Sequence, residues 1–191
     1  MLNTKKGFTL VELLITVGII SIIAVVGGDI LLTVTRAYKK AQTLGEVEQN
    51  GTYASTVLEN SLRNSSDVED CSSPPCEKIP EGATVSTNSI NLISAKDGIR
   101  SQVLYVPGSG TSGPGCSNGS LDVNGTTITN DNISKGVNVA PASGNVFQVF
   151  NPAGSPTVVT VNFKVSNACA SSVTAEAQFN TTVTLRGDYG K

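Results

Sequence analysis

Glu12 has the most demanding chemical setting in this sequence of 191 residues. It stands in a nearly continuous apolar stretch from Phe8 to Leu32, in which Asp29 is the other ionisable residue. An isolated carboxylate inside an apolar helix is costly, so Glu12 needs either a cationic partner or a route by which its side chain reaches polar surroundings. Asp29 stands at the far end of the stretch, where an interfacial position explains it.

The composition excludes several classes of function. Histidine is absent, which excludes Ser-His-Asp and Cys-His catalytic sites and every histidine-ligated metal site. Serine and lysine occur without the spacing of a known dyad, and the carboxylates form no pair suited to acid–base work. The net charge of −2 argues against a generally basic nucleic-acid binder. We therefore expect no enzyme, no cofactor, no metal and no nucleic-acid partner.

The apolar stretch is long enough to cross a membrane. From Phe8 to Gly28 a helix would span ~30 Å, which matches the hydrocarbon core of a bilayer. Lys5 and Lys6 precede it, and cations before a span predict a cytoplasmic N-terminus. A secretory signal cut near Ala24 or Gly27 and an uncleaved signal anchor are two interpretations, but both leave Glu12 unexplained.

A third interpretation comes from the residues around Glu12. The sequence there reads Gly7-Phe8-Thr9-Leu10-Val11-Glu12-Leu13-Leu14. This order resembles the processing site of the type IV pilin family, which includes the pseudopilins of type II secretion. Its features are basic residues, then glycine, then phenylalanine, then glutamate four residues after the phenylalanine. The close resemblance covers roughly residues 5 to 26.

The resemblance implies roles for three residues. Prepilin peptidase, a membrane aspartic enzyme, would cut between Gly7 and Phe8, and the new N-terminus on Phe8 would be N-methylated. Glu12 would pair with the N-terminal amine of a neighbouring subunit during assembly. The implied location is the bacterial inner membrane with a cytoplasmic N-terminus, followed by an extracytoplasmic filament. The implied partners are the peptidase, other pilin or pseudopilin subunits, the inner-membrane assembly platform and the lipid bilayer.

An amphipathic pattern continues beyond the span. Apolar or small residues recur at gaps of three and four from Leu31 to Leu62, and no proline occurs before Pro74. This predicts one helix from Phe8 to Arg63, ~80 Å long, ending near residues 64–66. The expected organisation is a leader at 1–7, a transmembrane and assembly helix at 8–32, its amphipathic continuation at 33–66, and a β-rich extracytoplasmic domain at 67–191.

The remaining residues alternate with the period of strands. Residues 159–165 and 175–185 place apolar or small side chains at every second position, and residues 89–93, 102–106 and 146–150 are shorter candidates. Asn124-Gly125 predicts a tight hairpin. The predicted fold is α+β, a pilin-like lollipop in which the long helix packs on one face of an antiparallel sheet.

The chain's ending resembles the closing strand of minor pilins and larger minor pseudopilins. Residues 179–186 read Phe-Asn-Thr-Thr-Val-Thr-Leu-Arg, close to the family's F-x-T-x-V-x-L-R-N pattern. Gly187 stands where that pattern often has asparagine. The resemblance favours a minor subunit over a major one.

Four cysteines permit three disulfide connectivities. Disulfides are favoured in an extracytoplasmic domain, and the spacing does not suit a metal site. Cys71 and Cys76 enclose a Ser-Ser-Pro-Pro turn and are natural local partners, which leaves Cys116 to join Cys169. The second bridge would fix residues 107–120, which are predicted to be an exposed loop.

Three functional hypotheses remain open. The first is a structural subunit, a minor pilin or pseudopilin of a type IV pilus or a type II secretion-like filament, assembled through its N-terminal helix. The second is a filament-tip binding module that uses residues 107–120 for adhesion, DNA uptake or a secreted substrate. The third is a membrane-anchored domain that never polymerises.

Overall fold

The computed structural model describes residues 7–110, 115–171 and 174–186. In these ranges a long N-terminal helix is followed by antiparallel strands, which confirms the predicted α+β class. The elements are α1 (Leu10–Arg63), β1 (Ser65–Asp70), β2 (Glu77–Lys78), β3 (Thr84–Thr87), β4 (Ser89–Ser94), β5 (Arg100–Val106), β6 (Ser120–Val123), β7 (Thr126–Thr127), β8 (Val137–Pro141), β9 (Phe147–Phe150), β10 (Val158–Asn167) and β11 (Glu176–Thr184).

The chain divides into two compact units. The first ends at Ala41 and holds the apolar part of α1, whereas the second begins at Gln42 and holds the rest of the helix and all the strands. Strand β1 starts at Ser65, two residues before the predicted start of the β domain. The predicted segment boundaries at residues 7, 32 and 66 stay predictions.

The strands form two antiparallel sheets, so the prediction of a single sheet was wrong. One sheet has the order β2-β1-β4-β5-β6-β7, and the other has β11-β10-β9-β3 with β8 also paired to β10. Alternating apolar residues show which face of a strand is buried but not which strands pair, and this is why the division was missed. Strand β1 was missed too, because its sequence SSDVED holds one apolar residue.

Strand β10 organises the second sheet. It pairs with β11 along one side and with β9 and then β8 along the other. Its apolar side chains at alternate positions, Val159, Val161, Phe163 and Val165, are fully buried. Phe163 lies opposite Phe179 of β11, and their rings stack with centroids 5.4 Å apart. The predicted period-two strands at residues 159–165 and 175–185 are therefore confirmed.

The C-terminal half of α1 supplies one side of the same core. Its buried positions recur at gaps of three and four: Val47, Gly51, Ala54, Leu58 and Leu62. At Gly51 the helix backbone lies close to β11, because a Cβ added there would overlap the ring of Phe179. The absence of a side chain at this one position lets that aromatic ring lie against the helix backbone.

The helix ends at Arg63, where side chains and a residue of the turn after β4 bond to its last groups. Arg63 forms an i,i+4 ion pair with Glu59 at 2.6 Å. The Ser65 hydroxyl donates to the Ser61 carbonyl at 2.7 Å, and the amide of Ala95 donates to the Asn64 carbonyl at 3.0 Å. These bonds give the terminal carbonyls partners that a helix end otherwise lacks.

The Asn124-Gly125 hairpin is confirmed. These residues connect β6 to β7, and Val123 lies opposite Thr126 in the register. Asn124 and Gly125 have φ values of 52° and 74°, as a type I′ turn requires. The Asn124 side chain also accepts a hydrogen bond from the Gln102 amide at 2.9 Å, which ties the turn to β5.

Gly51→Ala should destabilise the β domain despite alanine's better helix propensity. Propensity favours alanine by about 1 kcal/mol, but overpacking against the stacked ring of Phe179 costs about 1–3 kcal/mol. The matched control is Gly45→Ala, at an exposed position of the same helix with open space around the new Cβ. That control should stabilise by about 0.5–1 kcal/mol. Denaturant unfolding of the full chain in detergent measures both, and equal stabilisation would contradict the described packing.

Candidate processing and assembly segment

The residues singled out for processing precede the helix. Gly7, Phe8 and Thr9 lie outside regular secondary structure, and α1 begins at Leu10. Gly7 is exposed and Phe8 is 72% exposed, so the peptide bond between them is accessible. Lys5 and Lys6, with the rest of the predicted leader before Gly7, lie outside the described residues.

Thr9 caps the helix, a role that the sequence interpretation missed. The Leu13 amide donates the first intrahelical bond to the Thr9 carbonyl at 3.2 Å, and the Glu12 amide donates to Thr9 Oγ1 at 3.3 Å. These two bonds place Thr9 at the N-cap. The available signal was the string Thr9-Leu10-Val11-Glu12, which fits the capping-box pattern of threonine followed three residues later by glutamate.

Glu12 lies in the first turn of α1, where its charge is favoured by the helix dipole. Among residues 7–110, 115–171 and 174–186, none provides its carboxylate with an ion pair or a side-chain hydrogen bond. Its neighbours on the helix are exposed apolar residues such as Leu13 and Ile15. A cationic partner for Glu12 would therefore have to come from outside the described part of this chain.

The apolar part of α1 is suited to lipid. In its most apolar 18-residue window the mean hydropathy is 2.6, and none of that window is buried in the chain. The hydroxyls in this helix bond back to carbonyls of the preceding turn, as Thr16 does to Leu13 at 2.9 Å and Ser21 to Val17 at 2.8 Å. Such bonds satisfy polar side chains that would otherwise face hydrocarbon.

Comparison with known proteins adds one decisive observation at this segment. Residues 2–27 match the model of the prokaryotic N-terminal methylation motif. The chain carries the signature of type IV pilins and pseudopilins. The motif implies processing by prepilin peptidase and assembly with other pilin subunits, in a family whose role is structural. Together with the apolar helix, it fits membrane anchoring and a pilus filament. No curated protein and no solved structure matches the chain.

The cysteines lie in the β-rich unit and form two disulfides in the structure. Cys71 joins Cys76 with Cα atoms 4.4 Å apart, and Cys116 joins Cys169 with Cα atoms 6.2 Å apart. Both separations fall within the range of natural disulfides. The first bridge closes the turn before β2, and the second connects the segment before β6 to the residues after β10.

The prediction that residues 107–120 form an exposed loop was wrong at Cys116 and at residues 118–120. Cys116, Asn118 and Ser120 are buried, and Ser120 begins β6. The Asn118 side chain donates to the carbonyl of Asn132 at 2.9 Å and accepts from the Cys169 amide at 2.8 Å. A polar sequence was interpreted as exposed, but side-chain hydrogen bonds and a disulfide hold it inside. Residues 111–114 lie outside the described residues.

The best-defined charge pair of the β-rich unit lies on the first sheet. The nearly buried carboxylate of Glu69 accepts two hydrogen bonds from Arg100, at 3.0 and 3.1 Å. These bonds hold the pKa of Glu69 below its ordinary value, against the opposing effect of desolvation. Lys78 pairs with Asp67 at 2.9 Å nearby. The Lys78–Asp67 pair joins the neighbouring strands β2 and β1, and the Arg100–Glu69 pair reaches across β4 from β5 to β1, so we assign both to stabilising the sheet.

Two open clefts lie in the β-rich unit. One, of about 350 Å³, is lined by Gln42, Thr43, Glu46, Ser134, Lys135, Gly136, Asn167, Ala168 and Ser171. The other, of about 520 Å³, is lined by Arg63, Asn64, Thr184, Leu185 and Arg186 at the end of the predicted family-like tail, whose Gly187 lies outside the described residues. Within the described ranges, no three His, Cys, Asp or Glu residues are grouped to hold a metal ion.

The two disulfides should contribute unequally to stability. By loop-closure entropy, the Cys116–Cys169 bridge contributes about 4 kcal/mol and the Cys71–Cys76 bridge about 2 kcal/mol, since they enclose loops of very different length. Paired Cys→Ser variants of each bridge, compared by chemical unfolding, measure the difference. Peptide mapping of the unreduced chain checks the connectivity; a peptide joining Cys71 to Cys169, or four free thiols, would contradict it.

Proposed function

We propose that the chain is a structural subunit, a minor pilin or minor pseudopilin, of a type IV pilus or a type II secretion-like filament. The observation that carries the proposal is the methylation motif over residues 2–27, together with a carboxylate in the first turn of an apolar helix. The preference for a minor subunit is supported by the resemblance of residues 179–186 to the closing strand of minor members.

Cleavage between Gly7 and Phe8 is the first step of the proposed function. Hydrolysis of this bond leaves an α-ammonium on Phe8, and N-methylation keeps its positive charge. The proposal is supported by the exposure of both residues and by their position before the helix begins. The new ammonium lies near the positive end of the helix dipole, so an anion from elsewhere would stabilise it.

The pairing of that ammonium with Glu12 of a neighbouring subunit is the second step. A carboxylate and an ammonium buried together in an apolar setting stabilise each other, whereas removing one partner leaves a buried charge at a cost of about 3–5 kcal/mol. The pairing therefore favours subunits that are already processed, because an uncleaved neighbour has no ammonium on Phe8. Processing and assembly would be coupled through this one charge.

The apolar helix would hold the subunit in the inner membrane before assembly. The cations Lys5 and Lys6 favour a cytoplasmic N-terminus, which places the β-rich unit outside. The disulfides are consistent with an oxidising compartment on that side. The alternative of a tip-binding module has less support, because Cys116 and residues 118–120 are buried, which reduces the surface that this segment offers to a partner.

Glu12→Ala should leave insertion and the β-rich unit intact, because the span only becomes more apolar. Incorporation into a filament or a minor-subunit complex should fall at least tenfold, as expected when a buried ion pair is lost. Asp29→Ala is the matched control: it removes the other carboxylate of the same stretch and should assemble nearly as well as wild type. Sheared filament fractions and pairwise crosslinks at matched expression measure the effect.

The same cells test processing independently. With prepilin peptidase present, N-terminal mass spectrometry should show a chain that begins at methylated Phe8, and a bulky residue at Gly7 should block the cut. An intact Met1 or a cut near Ala24 would overturn the proposed function. Normal assembly of Glu12→Ala would instead overturn only the proposed role of the carboxylate.

A further inference from the structure

Two residues, Phe8 and Thr9, separate the predicted scissile bond from the start of α1 at Leu10, and Thr9 caps the helix there. Its carbonyl accepts the first helical hydrogen bond, from Leu13, and its hydroxyl accepts the amide hydrogen of Glu12. Gly7 and Phe8 stay outside the helix as a result. The sequence thus places the bond to be cut and the helix cap side by side.

This capping bond matters more in an apolar setting than in water. The amide of Glu12 belongs to the first turn, where no carbonyl of the helix itself can accept it. Water would satisfy such an amide on a soluble protein, but at the edge of a hydrocarbon layer an unpaired amide is costly. Without the Thr9 hydroxyl, the chain would gain by shifting the start of the helix to another capping residue.

The next capping residues upstream are Asn3 and Thr4. A helix that began after Thr4 would include Gly7 and Phe8 in its first turn or two. Their peptide bond would then be held in helical geometry, from which a peptidase must open it before cutting. The position of the cap therefore decides whether the bond lies outside the helix or within it.

We propose that Thr9 is a positioning residue for processing: its hydroxyl fixes the helix start and keeps the Gly7–Phe8 bond outside the helix, where the peptidase can reach it. The inference rests on the proposed function, since it takes cleavage at this bond as the reaction. It adds a role that the roles given to Gly7, Phe8 and Glu12 do not include, namely that of a helix-capping side chain directly after the new N-terminus.

The experiment measures initial cleavage rates of the full-length precursor, reconstituted in liposomes with a purified prepilin peptidase. Thr9→Val keeps the shape of the side chain and removes the hydroxyl, whereas Thr9→Ser and Thr9→Asn retain a capping oxygen. Thr16→Val is the matched control: it makes the same change in the same span, at a hydroxyl that bonds to the Leu13 carbonyl and does not cap the helix. Hydrogen exchange at the Glu12 amide reports the cap directly.

Thr9→Val should lower kcat/KM by roughly five- to tenfold, as the loss of a typical N-cap bond implies. The Glu12 amide should exchange faster, and Thr9→Ser, Thr9→Asn and Thr16→Val should stay near the wild-type rate. Wild-type cleavage of Thr9→Val would overturn the inference. Normal cleavage of Thr9→Ser but not of Thr9→Asn would also overturn it, because the peptidase would then recognise the hydroxyl itself. A slower cut of Thr9→Val with unchanged hydrogen exchange at the Glu12 amide would overturn it as well. Failure of wild type to be cut at Gly7–Phe8 would instead overturn the proposed function.

Discussion

The carboxylate of Glu12 in an apolar helix is the constraint on which the proposed function depends. Glu12 is surrounded on α1 by exposed apolar side chains, and the described part of the chain gives its carboxylate no ion pair. The cost of leaving it unpaired in hydrocarbon falls only if a cation is brought to it. Cleavage before Phe8 would create such a cation on every processed subunit, so chemistry at one peptide bond would determine which chains can associate.

A second constraint governs the β-rich unit, where the helix and the second sheet share one core. The helix contributes the apolar side chains of Val47, Ala54, Leu58 and Leu62. Gly51 has no side chain and so leaves room for the ring of Phe179. Phe179 in turn stacks on Phe163 of the central strand β10. Because Phe179 belongs to the edge strand β11, this last of the described strands is held both by its hydrogen bonds to β10 and by its contact with the helix.

The features that could be predicted from sequence were local ones. The apolar span, the end of α1, the alternation in β10 and β11 and the Asn124-Gly125 turn all depend on residues close together in the chain. The pairing of strands into two sheets and the burial of Asn118 depend on partners far away in sequence, which local patterns do not encode. Thr9 differs from both, since its capping box was present in the sequence and was overlooked beside the cleavage motif. The processing motif was recognisable because a peptidase reads contiguous residues, whereas assembly partners leave no such pattern.

The most direct test of the account is the structure of the assembled filament, or of the minor-subunit complex, by cryo-electron microscopy. The distance of interest joins the Glu12 carboxylate to the N-terminal amine of the neighbouring subunit. The account predicts an ion-pair distance of about 4 Å or less, with both groups buried among apolar helices. A Glu12 carboxylate directed to headgroups or solvent, or bonded only within its own chain, would contradict it.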